Sequence, residues 1–380
     1  MAWSHYQKFL AVMMVITGSF NTLSVKYADQ QIVPGSDGQP RHFNHPFMQS
    51  LFMFIGELMC LIVFKIAFCY YSRLQNGSEN RSSLTKGSQA FNPVVLFIPA
   101  ACDMIATSVM YIGLNMTYAS SFQMLRGAVI VFTGLLSVGF LNKKLILREW
   151  LGILFVILGL LLVGLSDFLT MSDQKVNKNG VLTGDLLIIS AQIITAIQMV
   201  VEEKYIAGQD IPALQAVGWE GVFGCIGMCF IMIPCNFIYA PPPFADNSSN
   251  TIEASIDALV QISRSGHLLM AMIGITISIA FFNFAGISVT KELNATTRMI
   301  LDSIRTLVIW TISLAVGWQK FHYLQLIGFT TLFIGMACYN NVIIPQIISY
   351  RSQLRFNVTR RGDERILNTP ADDVEDVHSA

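Results

Sequence analysis

The sequence predicts an all-α membrane protein that crosses the bilayer ten times. Of its 380 residues, 53% are hydrophobic and only 13% are charged. The apolar residues fall into ten blocks of roughly twenty, and nearly all of the charge lies between the blocks. A helix rises about 1.5 Å per residue and the hydrocarbon core is about 30 Å thick, so each block is long enough to span it.

The hydrophobic run of each block and its flanking polar residues predict where each span begins and ends. The predicted spans are Leu10–Lys26, Pro46–Tyr70, Asn92–Gly113, Ser120–Leu141, Trp150–Leu169, Asp185–Tyr205, Leu214–Tyr239, Leu268–Ser288, Ala295–Trp318 and Leu324–Ile344. The first block has an alternative interpretation as a cleaved signal peptide, because Lys8 precedes a short apolar run.

The second half of the sequence repeats the first. A shift of 176 residues places Gly152 on Gly328, and Lys26-Tyr27 and Lys204-Tyr205 end the first and sixth spans. Five spans per copy is an odd number, so the copies enter the membrane from opposite sides, as in many secondary transporters. Chance similarity between apolar helices is the alternative. The predicted units are a first five-helix repeat, a linker loop, a second five-helix repeat and a disordered cytosolic tail, at 1–169, 170–182, 183–345 and 346–380.

The loops predict the orientation. With a cytosolic N-terminus, fourteen Lys and Arg residues face the cytosol and five face the other side, so both termini are expected in the cytosol. The loop Tyr239–Leu268 then faces the lumen, and its sequon at Asn247 predicts a glycosylation site.

Two segments carry a family resemblance. The ten-span layout, with a lysine ending spans one and six, resembles the drug/metabolite transporter superfamily. Residues 118–134 (YASSFQMLRGAVIVFTG) and 281–299 (FFNFAGISVTKELNATTRM) resemble solute carrier family 35, the nucleotide-sugar transporter family, in its F branch, related to chloroquine-resistance-transporter-like proteins. The resemblance covers about residues 1–345. It implies an alternating-access carrier of an endomembrane and leaves the substrate open.

The two lysines that end spans one and six are the first candidates for substrate binding. In an inverted fold Lys26 and Lys204 would lie at opposite mouths of one cavity, and a lysine ammonium suits phosphate. The alternatives are snorkelling of Lys26 to the interface and an interfacial charge cluster of Lys204 with Glu202 and Glu203.

Charges within the fourth and ninth spans are the next candidates. Arg126 needs a partner or a watery cavity, and Gln123 lies one turn before it on the same face. In the ninth span, Asp302 and Arg305 share one helix face with Arg298. Pseudo-symmetry places Asp302 near Arg126, as a structural tie or as a gate that an anionic substrate opens. Asp103 is an alternative partner of Arg126.

Two membrane carboxylates, Glu57 and Asp103, are candidates for proton coupling, because burial favours the protonated form. The alternative for Glu57 is pairing with a basic side chain. Asn283 is expected to form an interhelical hydrogen bond, and Asn21 is a weaker cavity candidate.

The expected function is alternating-access transport of a small polar organic solute, most simply a nucleotide sugar or another nucleotide-like anion. The alternatives are a proton-coupled carrier of cationic or peptide-like solutes and a non-transporting scaffold that binds a partner protein. We expect no enzyme activity, cofactor or metal site, and no nucleic-acid binding. A homodimer is an open alternative. The tail residues 360–367 (RRGDERIL) resemble an acidic dileucine signal, which favours a lysosomal location over the Golgi.

Overall fold

The protein is a bundle of long helices. The computed structural model describes residues 4–74, 92–141, 145–170, 178–205, 211–240, 250–292, 295–318 and 321–339. The helices are α1 His5–Asp29, α2 Pro46–Leu74, α3 Phe97–Met116, α4 Ala119–Leu125, α5 Val129–Leu141, α6 Leu147–Thr170, α7 Lys178–Tyr205, α8 Ala213–Cys235, α9 Ser255–Arg264, α10 Gly266–Glu292, α11 Ala295–Ala315 and α12 Tyr323–Tyr339. A hairpin of β1 Ile32–Pro34 and β2 Pro40–His42 connects α1 to α2.

Within the described ranges, eight helical segments are long and apolar enough to cross a membrane. The last two helices contribute shorter apolar stretches, Ile304–Ala315 and Tyr323–Tyr339. Large apolar side chains such as Phe140, Phe230 and Phe237 are exposed on the outside, as a lipid-facing surface requires. The all-α polytopic class is confirmed, and the count of ten spans stays a prediction.

The fourth predicted span is interrupted. Its helix is divided into α4 and α5 by a 3₁₀ turn, Arg126–Ala128. A 3₁₀ segment inside a helix often marks a functional hinge, and irregular backbone at membrane depth is tolerated where it lies inside protein. The first predicted span forms α1, whose buried face packs on α10 and α11.

Four helix pairs dominate the packing: α1 with α10, α3 with α7, α2 with α8, and α6 with α12. Glycines bring the last pair into backbone contact. A Cβ on Gly152 would lie 2.9 Å from the carbonyl oxygen of Gly335, and one on Gly335 would lie 2.8 Å from that of Gly152. Gly159 and Gly328 form a second such pair. Small residues at membrane helix interfaces permit this close approach.

Replacing Gly159 with leucine is expected to lower the melting temperature of the purified protein. A Cβ at this position would meet the carbonyl oxygen of Gly328 at 2.9 Å, and overpacking typically costs about 1–3 kcal/mol. Gly164→Leu is the matched control, because a Cβ at Gly164 meets no atom within 4 Å. Equal melting temperatures for the two variants would contradict the α6–α12 packing.

The end of the bundle that carries the hairpin is more ordered than the sequence suggested. We call residues 30–45 and 250–265 the hairpin end. The loop predicted at Tyr239–Leu268 contains the amphipathic helix α9, which packs on β1. Gln261 of α9 donates to the carbonyl of Val33 over 3.2 Å, and Arg264 donates to the carbonyls of Pro34 and Gly35. The hairpin turn uses Gly38 at φ +80°, a conformation that favours glycine.

Candidate functional site

A continuous hydrogen-bonded chain of three polar side chains lies inside the bundle. Arg305 of α11 donates from its guanidinium to Oε1 of Gln123, 3.1 Å away. The amide of Gln123, on α4, donates to Oγ1 of Thr22 on α1 over 2.6 Å. All three side chains are buried. These hydrogen bonds therefore link the first and second halves of the sequence at a desolvated position. A hydrogen bond to a charged group, such as the one from Arg305, contributes about 1.5–3 kcal/mol.

The guanidinium of Arg305 is also packed against an aromatic ring. It lies 4.6 Å from the ring centre of Phe282 on α10, a cation–π geometry. Gly18 of α1 makes room for both groups, because a Cβ there would lie 2.6 Å from Cδ of Arg305 and 2.7 Å from the Phe282 ring. These contacts hold the planar cation in one orientation.

A pocket lies beside the hydrogen-bonded side chains of Arg305, Gln123 and Thr22, and Gln123 is part of its lining. Its cavity volume is about 10 Å³, roughly the space of one water molecule. Its lining residues are Gln123, Met124, Thr306, Phe329, Leu332, Phe333 and Met336. Small-molecule sites are typically apolar with a few polar groups, and this pocket has that composition. In this conformation it is closed to a solute.

Arg126 begins the 3₁₀ turn in the fourth span and is half-buried. Its guanidinium carbon lies 5.8 Å from the ring centre of Phe122. It is also close enough to Asp103 and Tyr111 of α3 to interact with them electrostatically. Arg126 therefore faces α3, whereas Gln123, one turn before it, faces α1 and α11.

Lys26 binds backbone carbonyls at the end of a neighbouring helix. Its ammonium donates to the carbonyl oxygens of Leu114 over 2.8 Å and Thr117 over 2.6 Å. Both carbonyls belong to the C-terminal end of α3, where a cation is favoured by the helix dipole. The hydroxyl of Thr117 donates to Asp185 of α7 over 2.7 Å. The contacts of Lys26 are those of a helix cap joining α1, α3 and α7.

The two predicted membrane carboxylates lie in one polar cluster. Oε1 of Glu57 accepts a hydrogen bond from the amide of Asn283 on α10 over 2.7 Å. Asp103 accepts one from the hydroxyl of Thr107 over 3.1 Å. Sequence reasoning missed a third acid, Glu220 of α8, which interacts electrostatically with Glu57. Glu220 lies between Gly218 and Gly221. The spacing of Gly218, Gly221 and Gly224 was the feature of the sequence that could have indicated this position.

Several predicted residues lie outside what the structure describes. The side chains of Lys204, Arg298 and Asp302 fall there, although their backbones lie in α7 and α11. Asn247 and the tail fall there as well. Asn21 is buried and donates to the carbonyl of Ile275 over 3.3 Å, so it joins α1 to α10.

The hairpin end holds a buried ion-pair cluster that the sequence did not predict. His45, Glu253 and Asp257 are each at most 3% exposed. Nδ1 of His45 lies 2.6 Å from Oε1 of Glu253, and Nε2 lies 3.8 Å from Oδ2 of Asp257. Asp257 also accepts from the backbone N–H of Ser36 over 2.5 Å, and Glu253 accepts from that of Phe47 over 3.1 Å. The cluster ties the α1–α2 connection to the segment between α8 and α10.

Charge coupling in this cluster shifts two pKa values. Burial alone would lower the pKa of His45, but the carboxylates of Glu253 and Asp257 raise it to about 9. The charge of the nearby His45 imidazolium, together with the N–H of Ser36, holds the pKa of Asp257 well below its usual range. Both groups are therefore charged across the physiological pH range.

Metal binding has no support in the described ranges, which contain no group of three His, Cys, Asp or Glu side chains that could hold an ion. The seven cysteines, all within the described ranges, form no disulfide bonds.

Comparison with known proteins identifies the family. Residues 4–214 match the family model described as nucleotide-sugar transporter. Solute carrier family 35 member F6 of Homo sapiens is 49% identical over 377 residues, which cover 98% of this chain and 100% of that protein. The chain belongs to the nucleotide-sugar transporter family. The resemblance to solute carrier family 35 and its F branch, carried by residues 118–134 and 281–299, is confirmed.

Other relatives of this transporter extend the same relation. The Mus musculus member F6 is 48% identical over 97% of both chains. An uncharacterized protein of Schizosaccharomyces pombe is 31% identical over 88% of this chain and 97% of its own. A solved crystal structure matches 89% of this transporter and 98% of that chain, with a TM-score of 0.50 and 12% identity, which is a likeness of fold alone. A family of membrane transporters implies a small-molecule substrate and a lipid bilayer.

Proposed function

We propose that the protein is an alternating-access secondary transporter of a small, anionic, nucleotide-like solute across an endomembrane. The observation that carries the proposal is the Arg305–Gln123–Thr22 chain beside the pocket. A buried guanidinium inside a membrane is costly and marks a substrate pathway in many transporters. The favoured substrate is one whose negatively charged phosphates pair with the guanidinium of Arg305.

The predicted inverted repeat is part of this proposal. Exchanging the first five spans for the second five turns the α1–α10 pair into the α7–α3 pair, and both pairs are extensively packed. The same exchange leaves the α2–α8 and α6–α12 pairs unchanged, and it exchanges Gly152 with Gly328 and Gly159 with Gly335. This pattern supports two five-helix units at 1–169 and 183–345 that rock against each other.

The phosphates, the sugar and the base of a nucleotide each have a candidate partner in the site. Arg305 and, from the other side of α4, Arg126 would bind phosphate oxygens, because the guanidinium fork matches them. Gln123 would bind a base or sugar edge, and Phe282 or Phe329 offers a ring face for a base. Lys26 already caps α3, so its part would be structural unless α3 and α1 separate. Lys204 and Asp302 remain proposed contacts at the cytosolic mouth and the centre.

A binding panel tests the proposal. Purified protein in detergent is heated with nucleoside mono- and diphosphates, nucleotide sugars, cationic drugs or short peptides, and the melting temperature is recorded. Ligands that bind the folded state raise it. A shift confined to one nucleotide class supports the proposal. A shift with cationic or peptide-like solutes alone would contradict it.

A second candidate is a proton-coupled carrier of cationic or peptide-like solutes. The specific observation that favours it is Glu57, a carboxyl that is buried in the membrane and bonded to an amide. The third candidate, a scaffold for a partner protein, is favoured by no observation of comparable weight.

The orientation is also proposed: both termini in the cytosol and the hairpin end in the lumen, with the lysosome favoured over the Golgi. Asn247 would then be glycosylated. Asn247→Gln is expected to remove a gel-mobility shift that endoglycosidase also removes, whereas Asn357→Gln, in the tail, is expected to leave it unchanged. The reverse pattern would contradict this orientation.

A further inference from the structure

Glu57 occupies an unusual position in the centre of α2. Its side chain is 2% exposed, inside a membrane-spanning segment. Oε1 accepts the hydrogen bond from Asn283, whereas Oε2 is buried and has no hydrogen-bond partner among the described residues. A buried carboxylate oxygen without a donor is strongly destabilised, because nothing replaces the water it has lost.

The groups around Glu57 increase this cost. The titratable side chains that face it are Asp103 and Tyr111 from α3, Glu220 and Cys225 from α8, and Cys60 from α2 itself. From α10 the facing group is the neutral amide of Asn283. In the part of the chain that the structure describes, no cation acts on Glu57, and the electrostatic contacts of Arg126 are with Asp103 and Tyr111.

We propose that Glu57 is a proton-binding site: in this conformation it carries a proton as a neutral carboxylic acid, with Oε2 buried without a hydrogen-bond partner among the described residues and with Asp103 and Glu220 close enough to interact with it electrostatically. Neutral Glu57 accepts from Asn283 through its carbonyl oxygen and has no charge to desolvate. The two nearby acids are less deeply buried than Glu57, since both are half-buried.

Glu57 is also placed to couple protonation to helix movement. The backbone of α8 presses directly on it, because a Cβ on Gly221 would lie 2.6 Å from the backbone carbonyl carbon of Glu57 and 2.7 Å from its Cβ. Separation of α2 from α8 would admit water to Oε2 and allow the proton to leave, and closure requires that it return. One proton is thus taken from water on one side of the membrane and released on the other. This coupling of protonation to transport rests on the proposed transport function, whereas the proton-binding site itself does not.

Infrared difference spectroscopy of the full-length protein in liposomes tests the site. A protonated carboxyl in an apolar setting gives its own C=O stretching band, which shifts in deuterated water. We expect one such band at neutral pH in the wild type, its loss in Glu57→Gln, and its retention in the matched control Glu149→Gln, a partly exposed acid that bonds the backbone of Ile146.

Asn283→Leu provides a second variant if Glu57→Gln does not fold. It removes the donor to Oε1 and is expected to move the band to higher frequency without removing it. A wild-type spectrum without the band, or a band unchanged in both variants, would overturn the proposal. The experiment needs no substrate, so a failed proton site with intact nucleotide binding is distinguishable from a failed nucleotide hypothesis with an intact proton site.

Discussion

Arg305→Gln is expected to weaken nucleotide binding by roughly 10- to 100-fold and to abolish transport. The guanidinium of Arg305 is 5% exposed, bonded to Gln123 and stacked on Phe282. Loss of a hydrogen bond to a charged group costs about 1.5–3 kcal/mol, and each 1.4 kcal/mol is about a factor of ten. Equilibrium binding of a labelled nucleotide to the purified variant measures the effect.

Two further variants separate a binding role from a structural one. Arg305→Lys keeps the charge but loses the fork, so we expect intermediate affinity. Lys8→Gln removes an exposed cation from α1 and is expected to bind like the wild type. If Arg305→Gln melts at the wild-type temperature and still binds nucleotide normally, Arg305 is not part of the substrate site.

His45→Gln is expected to destabilise the protein strongly at acidic pH and much less at alkaline pH. Charged His45 is stabilised in the folded state because its pKa is raised from 6.5 to about 9. That rise corresponds to about 3 kcal/mol, of the same order as the roughly 3–5 kcal/mol cost of removing one partner from a buried ion pair.

The direction of the pH dependence follows from the two pKa shifts. The contribution of His45 is fully present below its unfolded pKa of 6.5 and is lost as the pH rises through about 9. Asp257 has a lowered pKa, so its contribution is present above its ordinary value of about 3.9 and is lost as the pH falls. The cluster therefore stabilises the hairpin end most between about pH 4 and 6.5.

Melting temperatures recorded from pH 4.5 to 9.5 test this dependence. The difference between the wild type and His45→Gln should shrink as the pH rises past 7. His267→Gln, at the exposed start of α10, is the matched control and should follow the wild type throughout. Parallel curves for the wild type and His45→Gln would show that His45 carries no charge-dependent stabilisation.

The sequence predicted the helices well because length and hydrophobicity decide them in a membrane. It placed α2 and α11 at their observed first residues, Pro46 and Ala295. The hairpin and α9 were missed because both are polar and short. Their signals were present, since the run Pro34-Gly-Ser-Asp-Gly38 favours a tight turn and residues 255–264 have helical amphipathic spacing.

The site was predicted only in part. The sequence identified Gln123 and Arg305 as candidates but did not foresee the bond between them. The pairing of Arg126 with Asp302 stays a prediction, because the side chain of Asp302 lies outside what the structure describes. Helix periodicity shows which residues share a face, not which faces of distant helices meet. The capping of α3 by Lys26 was hidden for the same reason, because its acceptors are backbone carbonyls from another helix.

Counterflow in proteoliposomes is the most direct test of a nucleotide-type transporter. Liposomes with the purified protein are preloaded with one unlabelled nucleotide or nucleotide sugar, and uptake of the labelled compound is followed. We predict saturable uptake that depends on the internal compound and is lost in Arg126→Ala and Arg305→Gln. Failure of the folded wild type to exchange any member of the panel would contradict the account.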